Sequence, residues 1–243
     1  LYKANRGPPP DDLIPQFDLI RKAVDAFNIT RIELAGYEAD DLIATYSKFF
    51  SDKNWTVNII SSDKDLMQLV TEKIKMIDPI KNKIIGKEEV FEKFGVYPNK
   101  VIDVQSLAGD STDNVPGAPG IGIKTAATLI NEFGNIENLL ENFQKIKQNK
   151  RRETIENNKQ NIKISKKLVT LKQNIDIKID IEQISGPSID NKKLIPFLEK
   201  QNFHNLKNRI ENKNENLNQD EKPTSHKKFY SLINTVSELD NII

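Results

Sequence analysis

The fold is decided by residues 31–70, RIELAGYEADDLIATYSKFFSDKNWTVNIISSDKDLMQLV, where strand patterns alternate with helix patterns. Apolar spacing predicts a strand over 31–35, a helix over 39–50, a buried strand over 55–60 and a short helix after the two serines. Alternation of this kind is typical of an α/β domain with a parallel sheet. The sequence therefore predicts an α/β fold whose core is a parallel sheet.

The flanking segments continue the pattern on both sides. We predict short strands around 75–78 and 83–85 and helices over 11–27, 87–94, 98–108, most of 135–172 and 191–200. Residues 211–226 have no apolar periodicity and predict a flexible linker, while 227–243 predict the start of another domain. The chain is thus expected to contain more than one folded part.

Acidic residues form three short clusters, each where a predicted strand ends or a helix begins. They are Glu38, Asp40 and Asp41; Asp63 and Asp65; and Asp110 and Asp113. The binding crevice of an open parallel sheet lies beyond the carboxyl ends of its strands, so the first two clusters should lie side by side. Crowded carboxylates repel one another, whereas Mg²⁺ or Mn²⁺ accepts an all-oxygen shell. The pattern favours metal-assisted phosphoryl chemistry, although each cluster alone could simply cap a helix.

A glycine-rich segment, NVPGAPGIGIKTAATLINEFG, occupies residues 114–134 and leads into an amphipathic helix. Its candidate phosphate-binding residues are Gly117, Gly120, Gly122, Lys124 and Thr125. The glycines allow tight turns that aim amide groups outward, and the amino terminus of a helix favours a phosphate. We predict a helix-hairpin-helix phosphate clamp; the alternative is an ordinary turn between helices. The glycine spacing before Lys-Thr differs from that of a Walker loop.

Charge and composition narrow the class of protein. The formal net charge is +1, yet residues 142–174 contain ten basic residues and only two acidic ones. This excess suits contact with a polyanion, and a solvated helical surface would explain it equally well. The chain has no cysteine, which excludes disulfides and thiol chemistry. No stretch is apolar enough to predict a membrane span, and we expect a cytoplasmic setting.

Four motifs, YKANRGPPPDDL, YEADDLIA, SSDKDLMQLV and LAGDSTDNVPGAPGIGIKTA, occur in this order between residues 2 and 126. Their order and spacing resemble the 5′ nuclease domain of bacterial DNA polymerase I, and the resemblance extends to about residue 210. It implies a PIN-like nuclease core, a helical arch that admits a 5′ end, and a helix-three-turn-helix subdomain that holds duplex DNA. It also implies domains at 1–113 and 114–210, a linker at 211–226 and the start of a 3′ to 5′ exonuclease-like domain at 227–243.

The resemblance also implies roles for individual residues. Asp41, Asp63 and Asp65 would bind a first Mg²⁺ or Mn²⁺, with Glu38 and Asp40 close to it, and Asp110 and Asp113 would bind a second. Lys3 and Arg6 would face the scissile phosphate as catalytic residues. Residues 117–125 would hold duplex DNA, with K⁺ on the backbone carbonyls.

The implied function is metal-dependent 5′ to 3′ exonuclease and flap endonuclease activity in primer removal and repair. The expected partner is duplex DNA with a 5′ end or flap, the expected state is a monomer, and a polymerase domain is expected in the parent chain. In the family, two acid-bearing strands precede the position of Leu1, so an N-terminal truncation is expected. One alternative is therefore a DNA-binding fragment with impaired catalysis. A receiver-type phospho-acceptor site is a further alternative, but it leaves Asp110 and Asp113 without a role.

Overall fold

The computed structural model describes residues 3–4, 7–176, 184 and 189–217, the side chains of 213–217 excepted. The chain divides into two compact units. The first comprises residues 1–24 and 30–186, and the second comprises 25–29 and 187–243.

Three strands and ten α-helices are found in the described part of the chain. In chain order they are α1 (Ile14–Ala26), α2 (Ala39–Asp52), β1 (Val57–Ile60), β2 (Ile74–Asp78), β3 (Lys83–Ile85), α3 (Lys87–Phe94), α4 (Val101–Ala108), α5 (Ile123–Phe133), α6 (Ile136–Glu141), α7 (Asn149–Asn157), α8 (Lys159–Val169), α9 (Asn191–Lys200) and α10 (His204–Leu217). Short 3₁₀ helices occupy Lys64–Leu69, Pro98–Lys100 and Phe143–Lys145.

The sheet is small and mixed, with the strand order β1-β2-β3. β1 and β2 are parallel, with Val57 opposite Ile74, which confirms a parallel pair. β2 and β3 are antiparallel, with Met76 opposite Ile85. The connection between β2 and β3 is only four residues long, and a parallel pair needs a crossover of about a dozen residues or more. The α/β class is thus confirmed, with one antiparallel strand added.

Two sequence predictions about strands are wrong. Residues 31–35 form no strand, and the predicted strand over 55–60 begins only at Val57. That strand is not buried either, because Trp55 and Ile60 are 60% and 62% exposed and only Ile59 is buried. The physical reason is that β1 pairs on one side only, with β2, among the described strands.

The core of the first unit lies between α4 and the helices α5 and α8. Val104 and Leu107 of α4 are fully buried, as are Ile130 of α5 and Ile162 of α8. Burial of such aliphatic side chains stabilises the fold by roughly 1.5–3 kcal/mol each. α4 is therefore held rigidly, and the loop that follows it starts from a fixed point.

The second unit contains α9 and α10. Leu194 and Leu198 of α9 are buried against Ala26 and pack with Ile210 of α10. α10 continues to Leu217, so the first part of the predicted linker is helical. Residues 218–226 and the predicted additional domain at 227–243 lie outside the described residues, and the domain boundaries stay predictions. No helix in the described ranges combines the length and the apolar character that crossing a bilayer requires.

Candidate active site

The first acidic cluster lies at the start of α2. Glu38 is the residue that precedes the helix, and Asp40 and Asp41 lie in its first turn, where the helix dipole favours negative charge. Lys3 Nζ donates to both carboxylate oxygens of Glu38, at 2.7 and 2.6 Å. Asp41 Oδ1 accepts the backbone N–H of Lys172 at 2.9 Å. One oxygen of Asp41 therefore holds the segment that follows α8.

The second cluster follows the carboxyl end of β1, as the sheet argument predicts. Asp63 caps the 3₁₀ helix of residues 64–69, because its Oδ1 accepts the backbone N–H of Asp65 at 2.9 Å. Its own N–H donates to Ser61 Oγ at 3.0 Å. Asp65 is held from another side, since Gln105 Nε2 on α4 donates to its Oδ1 at 2.5 Å.

The third cluster lies in the turn after α4. Asp110 and Val115 form an antiparallel bridge, with N–H···O distances of 2.9 and 2.7 Å. Asp110 Oδ1 accepts the N–H of Thr112 at 2.8 Å, and its other oxygen forms an ion pair with Lys64. The backbone carbonyl of Asp113 accepts the N–H of Lys3 at 2.9 Å. Lys3 and Lys64 thus link the third cluster to the other two.

The three clusters converge on two adjoining cavities. A cleft of about 330 Å³ is lined by residues 167–172 together with Lys3, Glu38, Asp40, Asp41, Asp63, Asp65 and Asp113. A small cavity of about 30 Å³ is lined by, among others, Lys64, Asp65, Gln105, Asp110 and Asp113. Asp65 and Asp113 line both cavities. The structure therefore brings together acidic side chains that are up to 75 positions apart in the sequence, from Glu38 to Asp113.

Electrostatic strain within the cleft appears in the carboxyl pKa values. Burial raises the pKa of Asp40, and the negative charges of Asp63 and Asp65 raise it further. Burial also raises the pKa of Asp65, with Asp63 adding to the effect. At Asp110 burial is the largest single influence and acts in the same direction, but the hydrogen bonds from Lys64, Thr112 and Asp113 and the positive charge of Lys64 together outweigh it, so that the pKa is lowered. Adding positive charge to the cleft would relieve Asp40 and Asp65.

The donor chemistry of the cleft fits a hard divalent cation. Its acidic lining offers only carboxylate oxygens, the ligands that Mg²⁺ and Mn²⁺ prefer. Within the described residues, no three Asp, Glu or His side chains are already placed to hold one metal ion together. Rotation of carboxylates toward a shared ion would be needed, because Glu38 and Asp110 are each paired with a lysine.

The glycine-rich loop is built by close backbone contact. Gly109 and Gly117 both have positive φ, and a Cβ on Gly117 would lie 2.5 Å from the nitrogen of Gly109. The buried N–H of Gly117 donates to Ser165 Oγ of α8 at 2.8 Å, so it is not aimed outward as the sequence suggested. Gly120, Gly122 and Lys124 are exposed and Thr125 is half-buried, all at or before the start of α5. These residues stay candidates for contact with a phosphate.

Two adjacent family models match the chain. Residues 1–95 match the N-terminal resolvase-like domain of the 5′-3′ exonucleases, and residues 96–192 match their C-terminal SAM fold. The chain belongs to the 5′-3′ exonuclease family. Both the family resemblance and the fold class that the sequence predicted are confirmed.

Curated relatives of this 5′-3′ exonuclease chain include long and short proteins. DNA polymerase I of Rhizobium leguminosarum is 49% identical over 209 residues, which are 86% of this chain and 21% of that protein. The 5′-3′ exonuclease of Aquifex aeolicus is 40% identical over 193 residues, or 79% of this chain and 65% of that protein. The chain thus spans about a fifth of the first relative and less than two thirds of the second.

Solved structures show the same fold. A bacteriophage T5 flap endonuclease, in a pseudo-enzyme-product complex with DNA and metal ions, aligns with a TM-score of 0.63 at 21% identity. The alignment covers 82% of this chain and 75% of that one. A zinc-bound T5 5′-exonuclease aligns with a TM-score of 0.62 at 23% identity, covering 82% and 76% of the two chains.

The structure adds residues to the site that sequence reasoning missed. Lys64 lies between two of the predicted acids in SSDKD, so its position in the sequence could have indicated a charge partner. Gln105 and Gln68 carried no such signal, because each lies within a helical apolar pattern. Lys3 lines the cleft, and its catalytic role stays a prediction, whereas Arg6 lies outside the described residues.

Proposed function

We propose that this chain is a metal-dependent 5′ to 3′ exonuclease and flap endonuclease segment of DNA polymerase I, which hydrolyses DNA phosphodiesters in primer removal and repair. The observation that carries the proposal is the convergence of three acidic clusters on one cleft. Membership of the 5′-3′ exonuclease family supports the same activity, as do relatives named DNA polymerase I and 5′-3′ exonuclease.

Two divalent ions, Mg²⁺ or Mn²⁺, are proposed as cofactors. Asp41, Asp63 and Asp65 would hold one of them, with Glu38 and Asp40 beside it, and Asp110 and Asp113 would hold the other. When bound, such ions lower the pKa of a water molecule and neutralise charge on the phosphoryl oxygens. The raised pKa values of Asp40 and Asp65 support this assignment, because a cation stabilises the ionised form of both groups.

The protein's own cations would act on the phosphate itself. The Lys3 ammonium group is held at the cleft by Glu38, at 2.6 Å. A cation fixed there would stabilise the negative charge that develops on the phosphoryl oxygens during hydrolysis. Arg6 is proposed to act with Lys3. The segment of residues 167–172 lines the same cleft and would limit access of water to it.

Duplex DNA is the proposed partner, with a 5′ end or flap at the cleft. Gly120, Gly122, Lys124 and Thr125 at the start of α5 would bind backbone phosphates through amides and the lysine, and K⁺ would bind nearby carbonyls. Gly117 would contribute by shaping this loop. We further propose that the chain acts as a monomer in the cytoplasm and that a polymerase domain accompanies it in the parent protein.

The activity is tested with a flap DNA substrate and the Asp63→Ala variant. Asp63 lines the cleft, so its loss should reduce cleavage by more than the roughly 10- to 100-fold that removal of an outer-shell partner costs. Affinity for duplex DNA should remain within about threefold of the wild-type value, since phosphate contacts lie elsewhere. Asp52→Ala is the matched control, because Asp52 is an exposed partner of Lys48 at the far end of α2. Equal loss of cleavage in both variants would refute the assignment.

The alternative function is DNA binding with impaired catalysis. The observation on its side is that, in the described residues, no three carboxylates are already placed around one metal position. This alternative predicts wild-type protein that binds flap DNA, with affinity that falls steeply as salt rises, but leaves it uncut in Mg²⁺ or Mn²⁺. If the wild-type protein cleaves flap DNA and EDTA abolishes the cleavage, this alternative is excluded.

A further inference from the structure

Gln105 is a buried polar residue that touches the acidic cleft from the hydrophobic core. Its residue surface is only 7% exposed, and its Nε2 donates to Asp65 Oδ1 at 2.5 Å. An ionised carboxylate can only accept hydrogen bonds, so the contact requires the amide nitrogen of Gln105 to face Asp65. The orientation of the whole amide group is thereby fixed.

That orientation leaves the other end of the amide without a protein partner. Gln105 Oε1 is buried and accepts no hydrogen bond from any described protein group. Loss of solvation at such an atom costs roughly 1–3 kcal/mol, so an unsatisfied buried group calls for an explanation. Gln105 and Asp65 both line the cavity of about 30 Å³, which is large enough to hold water.

Fold stability alone does not explain a glutamine at this position. Its neighbours on α4, Val104 and Leu107, are fully buried and aliphatic, and an aliphatic side chain at 105 would avoid the unpaired oxygen. What an aliphatic residue cannot provide is a donor to Asp65.

We propose that Gln105 is a positioning residue for the nuclease reaction, whose amide N–H holds the Asp65 carboxylate in the rotamer in which it binds a divalent ion. The inference rests on the proposed function, because it assumes that Asp65 is a metal ligand. Outer-shell partners of this kind orient ligands, and their loss typically lowers metal affinity by roughly 10- to 100-fold. Gln105 would act through Asp65 and not by contact with the reacting atoms.

The test uses the full chain and Mn²⁺ as the probe, without DNA. In Gln105→Met the side chain keeps its approximate volume but loses both the donor and the unpaired acceptor. We expect the dissociation constant for Mn²⁺, measured from the electron paramagnetic resonance signal of free Mn²⁺, to rise roughly 10- to 100-fold. The melting temperature of the metal-free protein should be unchanged or slightly higher. Gln105→Leu provides a second aliphatic variant in case methionine packs poorly.

Ser106→Ala is the matched control on the same helix. Ser106 is fully buried, and its hydroxyl donates to Ile102 O at 2.6 Å without contacting an acid. It should change stability without changing Mn²⁺ affinity. Flap cleavage by Gln105→Met should recover at high Mn²⁺ concentration, while affinity for DNA stays constant.

The outcomes separate this inference from the proposed function. Wild-type protein that binds Mn²⁺ and cleaves flap DNA, together with a Gln105→Met variant of unchanged Mn²⁺ affinity, would overturn the role of Gln105 alone. Failure of the wild-type protein to bind Mn²⁺ or to cleave would overturn the proposed function, and the inference with it. Weaker Mn²⁺ binding in both Gln105→Met and Ser106→Ala would also contradict a specific role.

Discussion

Replacement of Gly117 by alanine should destabilise the loop that carries Asp110 and Asp113. Gly117 has φ +56°, a left-handed conformation. An added Cβ would lie 2.5 Å from the nitrogen and 2.7 Å from the Cα of Gly109. Both neighbours are backbone atoms, so no side-chain rotation can relieve the clash. The main chain itself must move.

The expected loss of stability follows from these two effects. The left-handed conformation costs alanine about 1–2 kcal/mol, and overpacking against neighbours that cannot rotate away costs about 1–3 kcal/mol. Together they give roughly 2–5 kcal/mol, or a fall in melting temperature of roughly 4–20 °C for a protein of this size. Because the clash lies next to Asp110, affinity for Mn²⁺ should fall as well.

Thermal and urea unfolding, followed by circular dichroism, would measure the change. Gly120→Ala is the control, because Gly120 also has a positive φ, +77°, but no atom lies within 4 Å of its added Cβ. That variant should lose only the conformational contribution, about 1–2 kcal/mol. Equal destabilisation by the two substitutions would show that the contact between Gly109 and Gly117 does not constrain the loop.

Two further predictions concern segments near the cleft. Gln68 donates to Val169 O at 2.9 Å and accepts from Leu171 N at 3.2 Å. Gln68→Ala should therefore lower the free energy of unfolding in urea by about 1–3 kcal/mol and speed hydrogen exchange of the Leu171 amide. An unchanged exchange rate would contradict a stabilising role for these two hydrogen bonds. The pKa of Glu137 is lowered chiefly by its hydrogen bond from Lys166. The stability that the ionised Glu137 contributes is therefore complete above the ordinary glutamate pKa and is lost as the pH falls through the lowered value. The difference in melting temperature between wild type and Glu137→Gln should therefore shrink below about pH 4.5, and a difference that stayed constant into acid would refute the ion pair's contribution.

Sequence reasoning succeeded where local patterns and strand direction decide the outcome. Helices α2, α3 and α5 and strands β2 and β3 form where apolar spacing predicts them. Asp63 follows β1, so a parallel strand pair was enough to predict its place at the carboxyl edge of the sheet. The first acidic cluster meets the second in the cleft, but not for the predicted reason, because residues 31–35 form no strand and the first cluster lies at the start of α2.

Other features depend on tertiary contacts that no local pattern reveals. Residues 31–35 have strand-like composition, but strand formation also requires a pairing partner. Gly117 looked like an outward amide donor until Ser165, 48 positions later, was found to accept its hydrogen. The contact of Gln105 with Asp65 likewise spans 40 positions and depends on how α4 packs.

The most direct test of the account is an anomalous diffraction map from crystals of this chain grown with Mn²⁺. We predict two Mn²⁺ ions in the adjoining cavities that the acidic clusters line, one held by Asp41, Asp63 and Asp65 and the other by Asp110 and Asp113. Mn²⁺ found only outside these two cavities would contradict the claim that the three acidic clusters form one two-metal centre.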